Sequence, residues 1–132
     1  MASFKNQEMA PALSMREDIE VKKGFLGLSQ KVFYRPTGSP VDVVQTYYGT
    51  DQGARIRRVL EAPVGEVAEA VKSAGVLTGS GTGPVRIDAC LSQDGRFAAV
   101  QLFGYADLLY HPQTEVRILR DDEAMALRRW LM

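Results

Sequence analysis

One segment, RFAAVQLF at residues 96–103, constrains the fold more than any other part of the sequence. Apart from Gln101, residues 97–103 are apolar at both alternating sets of positions. A strand there must be covered on both faces by this chain, or on one face by a partner subunit. The preceding run VRIDACL, residues 85–91, alternates like a strand, and the intervening SQDG ends in a glycine suited to a tight turn. The two runs are therefore predicted to form an antiparallel hairpin.

The rest of the C-terminal half is predicted to extend this sheet and to end in a helix. YADLLY (residues 105–110) and EVRIL (residues 115–119) form a second predicted hairpin, joined by HPQT. The terminal segment RDDEAMALRRWLM places acidic side chains in the first helical turn and arginines in the last, which matches the helix dipole. Its apolar stripe is expected to dock across the sheet and consists of Ala124, Leu127, Trp130 and Leu131.

The N-terminal half mixes strand and helix patterns. Residues rich in β-formers predict strands at about 18–25 and 30–35, before the turn PTGSP. TDQGARIRRVLEAP (residues 50–63) and VGEVAEAVKSAG (residues 64–75) carry apolar residues at helical spacing, and each is predicted to form a helix.

The segment between the second strand and these helices, SPVDVVQTYYG, supports two interpretations. Ser39 and Pro40 are suited to a helix start and Gly49 to its end, which predicts a helix over residues 40–49. In that helix one face would carry Val41, Val44, Tyr47 and Tyr48. Valine and tyrosine prefer strands, however, so a hairpin through GTDQG is the alternative. We favour the helix.

A glycine-rich stretch, GVLTGSGTGP at residues 75–84, has the composition of a phosphate-binding loop. Such loops run from a strand into a helix, whose N-terminal N–H groups face the phosphate. Here a predicted helix precedes the glycines and a strand follows them, and no Gly-Lys-Ser/Thr is present. The stretch is therefore predicted to be a linker.

These elements predict an α+β fold, with an antiparallel sheet of about four to six strands and two or three helices packed on it, including a C-terminal helix. Residues 1–17 are predicted to be a flexible N-terminal arm, and residues 18–132 a single domain. A chain of 132 residues buries enough surface to fold without a metal or a disulfide.

Composition narrows the classes of partner. Sixteen basic residues balance sixteen acidic ones, which disfavours general nucleic-acid binding and a polybasic membrane patch. Zero net charge also weakens repulsion between copies of the chain, so self-association is mildly favoured. A signal peptide and a membrane-spanning run are not recognisable in the sequence, and a cytoplasmic location is expected.

No reactive set of residues stands out. His111 is the only histidine and Cys90 the only cysteine, so neither a nucleophile–base pair nor a metal or cofactor site is predicted. Three groups remain as candidate binding residues. Pocket candidates are Tyr105, Asp107 and His111; interface candidates are Tyr47, Tyr48, Tyr110 and Trp130; candidates for an anionic partner are Arg55, Arg57 and Arg58.

Three functional hypotheses follow. The first is a non-enzymatic protein-interaction module of the adaptor, chaperone or inhibitor type that self-associates as a homo-oligomer. The alternative is a small-molecule-binding protein or enzyme with a pocket between the sheet and the helices. The third is weak binding of nucleic acid or another anionic partner through residues 55–58. The sequence does not name a reaction, a ligand or a biological process.

Overall fold

The computed structural model describes residues 13, 16–24, 30–80, 82–104 and 116–132 of the chain. These residues form one antiparallel sheet, in which six strands lie side by side in sequence order, and three helices. The strands are β1 (Ile19–Lys23), β2 (Gln30–Tyr34), β3 (Ser39–Tyr48), β4 (Val85–Ser92), β5 (Phe97–Phe103) and β6 (Arg117–Arg120). The helices are α1 (Thr50–Glu61), α2 (Val67–Ala74) and α3 (Asp121–Leu131). The predicted α+β class with a C-terminal helix is confirmed.

The helix predicted over residues 40–49 is wrong, because this segment forms most of strand β3. Strand β3 pairs with β4 over eight consecutive residue pairs. Val43 and Val44 are thereby buried on opposite faces of the sheet, whereas a helix would bury one stripe of this segment. Pro40 lies at the start of the strand, where proline is tolerated, and Gly49 is the residue that precedes α1.

The other predicted elements within the described residues are confirmed. Strands β1 and β2 and helices α1 and α2 lie where their sequence patterns predicted them. The hairpin of β4 and β5 turns through SQDG, in which Gly95 has a φ of 75°. Strand β6 pairs with β5, and its predicted partner YADLLY lies outside the described residues.

One face of the sheet is covered by the three helices. Its core is formed mainly by aliphatic side chains, together with Tyr48, from β3, β4, β5 and β6 and from the inner sides of the helices. Glu123 of α3 joins two of these helices, because its Oε2 accepts hydrogen bonds from the backbone N–H groups of Gly65 (3.1 Å) and Val67 (2.9 Å). The carboxylate therefore caps the start of α2 from a neighbouring helix.

The opposite face is covered by the β1–β2 hairpin, which bends back over the sheet. Tyr34 of β2 stacks on Phe97 of β5 with ring centroids 4.6 Å apart, and Arg120 Nη1 donates a hydrogen bond of 3.0 Å to the Tyr34 hydroxyl. Leu13 is fully buried in this second core, whereas residues 1–12, 14 and 15 of the predicted arm lie outside the described residues. All residues of β5 are buried, which confirms a strand covered on both faces.

The glycine-rich stretch connects α2 to β4, in the order helix, loop, strand that the sequence predicted. Ser80 exchanges two backbone hydrogen bonds with Tyr47 of β3, at 2.9 and 3.2 Å. Gly83 has a φ of 147°, and a Cβ at this position would collide with the carbonyl group of Tyr48. The glycines thus allow the loop to lie directly against the sheet.

Candidate functional site

A groove of about 540 Å³ lies between helix α1 and the adjoining ends of strands β4 and β5. This volume is within the range of about 300–1,000 Å³ that is typical of ligand-binding sites. The groove is open along one side, and its surface is mainly apolar. The residues that line it are Thr50, Gly53, Ala54, Arg57, Arg58, Glu61, Pro84, Val85, Leu102 and Gly104.

Small residues on α1 create the space. Gly53 faces the sheet, where a Cβ would lie 2.5 Å from a methyl group of Val85, so the helix packs very close to strand β4. Ala54 is exposed beside it and carries only one methyl group, which leaves the groove open above Val85 and Leu102. The narrow helix surface and the strand end therefore form the two walls.

Arginines border this apolar surface. Arg57 and Arg58 are both exposed on α1, one turn beyond Gly53 and Ala54. Arg57 Nε lies 3.9 Å from Glu61 Oε1, and with side chains that are 51% and 70% exposed this ion pair is weak. Arg117 is not among the lining residues, and its Nη1 donates a 3.1 Å hydrogen bond to the Leu60 carbonyl near the C-terminal end of the helix. The border of the groove is therefore suited to carboxylates.

The three arginines predicted as candidates for an anionic partner are divided between two places. Arg57 and Arg58 line the groove, whereas Arg55 lies on the side of α1 that contacts α2. Arg55 Nη1 donates hydrogen bonds to the carbonyl groups of Ala74 (2.8 Å) and Val76 (3.1 Å). Arg55 therefore stabilises the C-terminal end of α2.

The aromatic residues predicted as interface candidates lie in different environments. Tyr48 is 2% exposed inside the core beneath the helices, where burial raises the pKa of its hydroxyl. Trp130 is half-buried, and its Nε1 donates a 2.8 Å hydrogen bond to the Gly75 carbonyl, which ties α3 to the end of α2. Tyr47 is half-buried beside Ser80, and Tyr110 lies outside the described residues.

The predicted pocket residues Tyr105, Asp107 and His111 also lie outside the described residues. A pocket between the sheet and the helices was the alternative hypothesis, but of the residues that line this groove only Arg57 and Arg58 were named from the sequence. Its walls come from α1, from the start of β4 and from the end of β5, which are far apart along the chain. The available signal was the pair of basic residues at the exposed positions 57 and 58.

A row of polar side chains crosses the opposite face of the sheet. Gln45, Asp88 and Gln101 are register neighbours on β3, β4 and β5, and each is at most 7% exposed. Arg86 Nη2 donates a 3.3 Å hydrogen bond to Asp88 Oδ2, and Arg86 Nε lies 3.0 Å from Oδ1, close enough for an ion pair although it is poorly aligned as a hydrogen bond. The Arg86 guanidinium also lies over the ring of Phe103, 4.4 Å from its centroid. Because this row is inside the molecule, we interpret it as part of the core.

Cys90 follows the polar row on the same face and is fully buried. Burial, with smaller contributions from the negative charges of Asp88 and Asp18, raises the pKa of its thiol to about 12. The thiol is therefore protonated at neutral pH and is a poor nucleophile.

The described ranges of the chain contain no group of three or more histidine, cysteine, aspartate or glutamate residues that could hold a metal ion. None of the three helices found there combines the length and apolarity needed to cross a bilayer. No family model matches the sequence, and comparisons with curated proteins and with solved structures find no significant match.

Proposed function

We propose that this protein is a non-enzymatic protein-binding module, of the adaptor, chaperone or inhibitor type, whose docking site is the groove beside α1. The observation that carries this proposal is the combination of an open, mainly apolar groove with two exposed arginines on its border. An amphipathic segment of a partner docks in such a groove by its apolar face. Arginine is enriched at protein interfaces because its fork of donors recognises carboxylates.

The chemistry of the lining residues favours binding over catalysis. Ala54, Val85 and Leu102 provide methyl and methylene surface. The charged lining residues are Arg57, Arg58 and Glu61. Arginine does not lose its proton in proteins, and Glu61 is largely exposed beside Arg57. These side chains are suited to holding a ligand in place, and a nucleophile with its base is not found among the lining residues.

The groove also defines the chemistry of its ligand. One or two large apolar side chains would fill the space above Val85 and Leu102, and flanking aspartate or glutamate would face Arg57 and Arg58. Because both arginines are exposed, the electrostatic part of the binding energy is expected to weaken as salt is raised.

A selection of random twelve-residue peptides displayed on phage tests the proposal. Ala54→Trp fills the groove with an indole at an exposed helical position, and Ser73→Trp places the same side chain on the exposed surface of α2 as the matched control. We expect peptides selected on the wild type to combine apolar and acidic residues, to bind Ser73→Trp equally well and to lose binding to Ala54→Trp. Peptides that bind all three proteins equally would refute the groove as the docking site.

The volume of the groove also supports a second candidate, the binding of a small apolar anion. The dye 8-anilinonaphthalene-1-sulfonate is a suitable probe, because it combines aromatic rings with one negative charge. Saturable binding of the dye that Ala54→Trp abolishes and Ser73→Trp retains, together with the absence of any enriched peptide, would favour this candidate over the protein-binding module.

A further inference from the structure

A surface loop of this same chain has the chemistry that the groove requires. The segment EAPVGEVAE, residues 61–69, follows the end of α1 directly and enters α2. Val64 is 82% exposed, which is unusual for a large apolar side chain. Glu61, Glu66 and Glu69 are exposed on either side of it. The loop therefore presents one apolar side chain flanked by carboxylates, which is the ligand chemistry inferred above.

We propose that the groove is occupied by the Val64 loop of a second copy of this chain, in a dimer with two-fold symmetry. This inference rests on the proposed function, because it takes the groove as a protein-docking site and names its occupant. In a two-fold dimer each copy contributes the same patch, so a groove and its ligand on adjacent parts of one surface can dock reciprocally. Helix α1 carries the groove, and the Val64 loop extends from its end.

The charges on α1 fit this arrangement. An antiparallel alignment of two copies of residues 54–64, which comprise the second half of α1 and the start of the loop after it, is symmetric about position 59 and sets Val64 of one copy opposite Ala54 of the other. The same alignment sets Glu61 opposite Arg57, since these two residues are symmetric about the same position. Two reciprocal ion pairs then accompany two reciprocal apolar contacts. Zero net charge adds no overall repulsion between the copies.

The first experiment compares two valines of equal exposure. Val64 is 82% exposed and Val76 is 83% exposed at the other end of α2, so replacement of either leaves the core unchanged. By sedimentation equilibrium over a range of concentrations, we expect the wild type and Val76→Glu to approach twice the monomer mass of 14.6 kDa. Val64→Glu is expected to weaken the dimer at least about tenfold, because a carboxylate would enter an apolar groove.

The second experiment reverses the charges. Arg57→Glu sets two carboxylates opposite each other and is expected to weaken the dimer, whereas the double variant Arg57→Glu/Glu61→Arg restores opposite charges and the dimer. Lys31→Glu reverses an exposed charge on β2, on the opposite face of the sheet, and serves as the control. A mixture of Ala54→Cys and Val64→Cys chains is also expected to form a disulfide between copies, and the buried Cys90 does not compete for it.

Several outcomes would overturn the inference. These are a wild type that stays monomeric at every concentration, equal effects of Val64→Glu and Val76→Glu, and no rescue by the double charge reversal. If the wild type is monomeric but Ala54→Trp still abolishes peptide binding, only the second copy as occupant is wrong. If neither peptide binding nor dimerisation responds to Ala54→Trp, the proposed function fails as well.

Discussion

The face of the sheet beneath the helices is packed mainly with aliphatic side chains, whereas the opposite face combines stacked aromatic rings, a cysteine and a row of polar groups. The helical face has its open groove where Gly53 and Ala54 reduce the thickness of α1. The opposite face buries Asp88 completely and holds it beside Arg86. The proposed docking groove and the buried polar row thus lie on separate sides of one sheet.

Exposure to solvent distinguishes the polar residues of the two faces. On the helical face, Arg57 and Arg58 are exposed beside apolar surface, and the ion pair of Arg57 with Glu61 is weak. On the other face, Asp88 is enclosed, and its charge must be balanced inside the protein. The exposed arginines are therefore functional candidates, and the buried aspartate is a candidate for maintaining the fold.

The largest expected loss of stability follows from replacing either of two adjacent, fully buried residues, Ile87 and Asp88, which lie on opposite faces of the sheet. We expect Ile87→Ala to lower the free energy of unfolding by about 3 kcal/mol, because it leaves a cavity under the helices. Asp88→Ala is expected to cost a similar ~3 kcal/mol, because Arg86 loses its carboxylate. On the polar face, replacement of both partners by apolar residues, Arg86→Met/Asp88→Leu, should restore most of the free energy of unfolding that Asp88→Ala loses. Urea unfolding measures all three values, and a double variant as unstable as Asp88→Ala would contradict this account.

A smaller effect is expected on the helical face at Gly53. Alanine is favoured over glycine in a helix by about 1 kcal/mol, but the added methyl group would meet Val85 at 2.5 Å. We expect Gly53→Ala to lower the free energy of unfolding by ~1–2 kcal/mol through overpacking. In a Val85→Ala background the same substitution should become stabilising. Thermal unfolding in both backgrounds tests this, and the same sign in both would show that close packing does not decide the choice of glycine.

The smallest effect concerns the thiol on the opposite face. The pKa of the Cys90 thiol is raised from its ordinary value of 9.0 to about 12 in the folded protein. As the pH rises above 9, the thiol therefore loses its proton in the unfolded chain before it does so in the folded protein. The contribution of the Cys90 thiol to the free energy of unfolding is fully present below pH 9. It falls between pH 9 and 12, by at most ~1.4 kcal/mol per pH unit. The buried Tyr48 hydroxyl, whose pKa is also raised, acts in the same direction above pH 10.

Urea unfolding at pH 8 and pH 10 measures this effect. Cys90→Ala is expected to reduce the loss of stability between the two pH values, and Tyr48→Phe serves to separate the contribution of the tyrosine. An unchanged loss in Cys90→Ala would show that the thiol is not protected by the fold.

Local patterns were sufficient for most elements of the fold. Apolar residues at helical spacing identified α1 and α2, and the turn SQDG between two alternating runs identified the β4–β5 hairpin. Strand β3 was mistaken for a helix because Ser39, Pro40 and Gly49 resemble helix boundary signals. The pairing of β3 with β4, more than 30 residues later, outweighed those local signals.

The fold class, the strand that is covered on both faces and the basic character of residues 55–58 were predictable from local patterns, because they depend on periodicity and residue type within short segments. The folded chain adds that Arg57 and Arg58 border a groove while Arg55 holds a helix end. It also adds that Asp88 is buried between two glutamines. A groove and a buried charge are made by contacts between residues that are distant along the chain, and short-range patterns carry no information about such contacts.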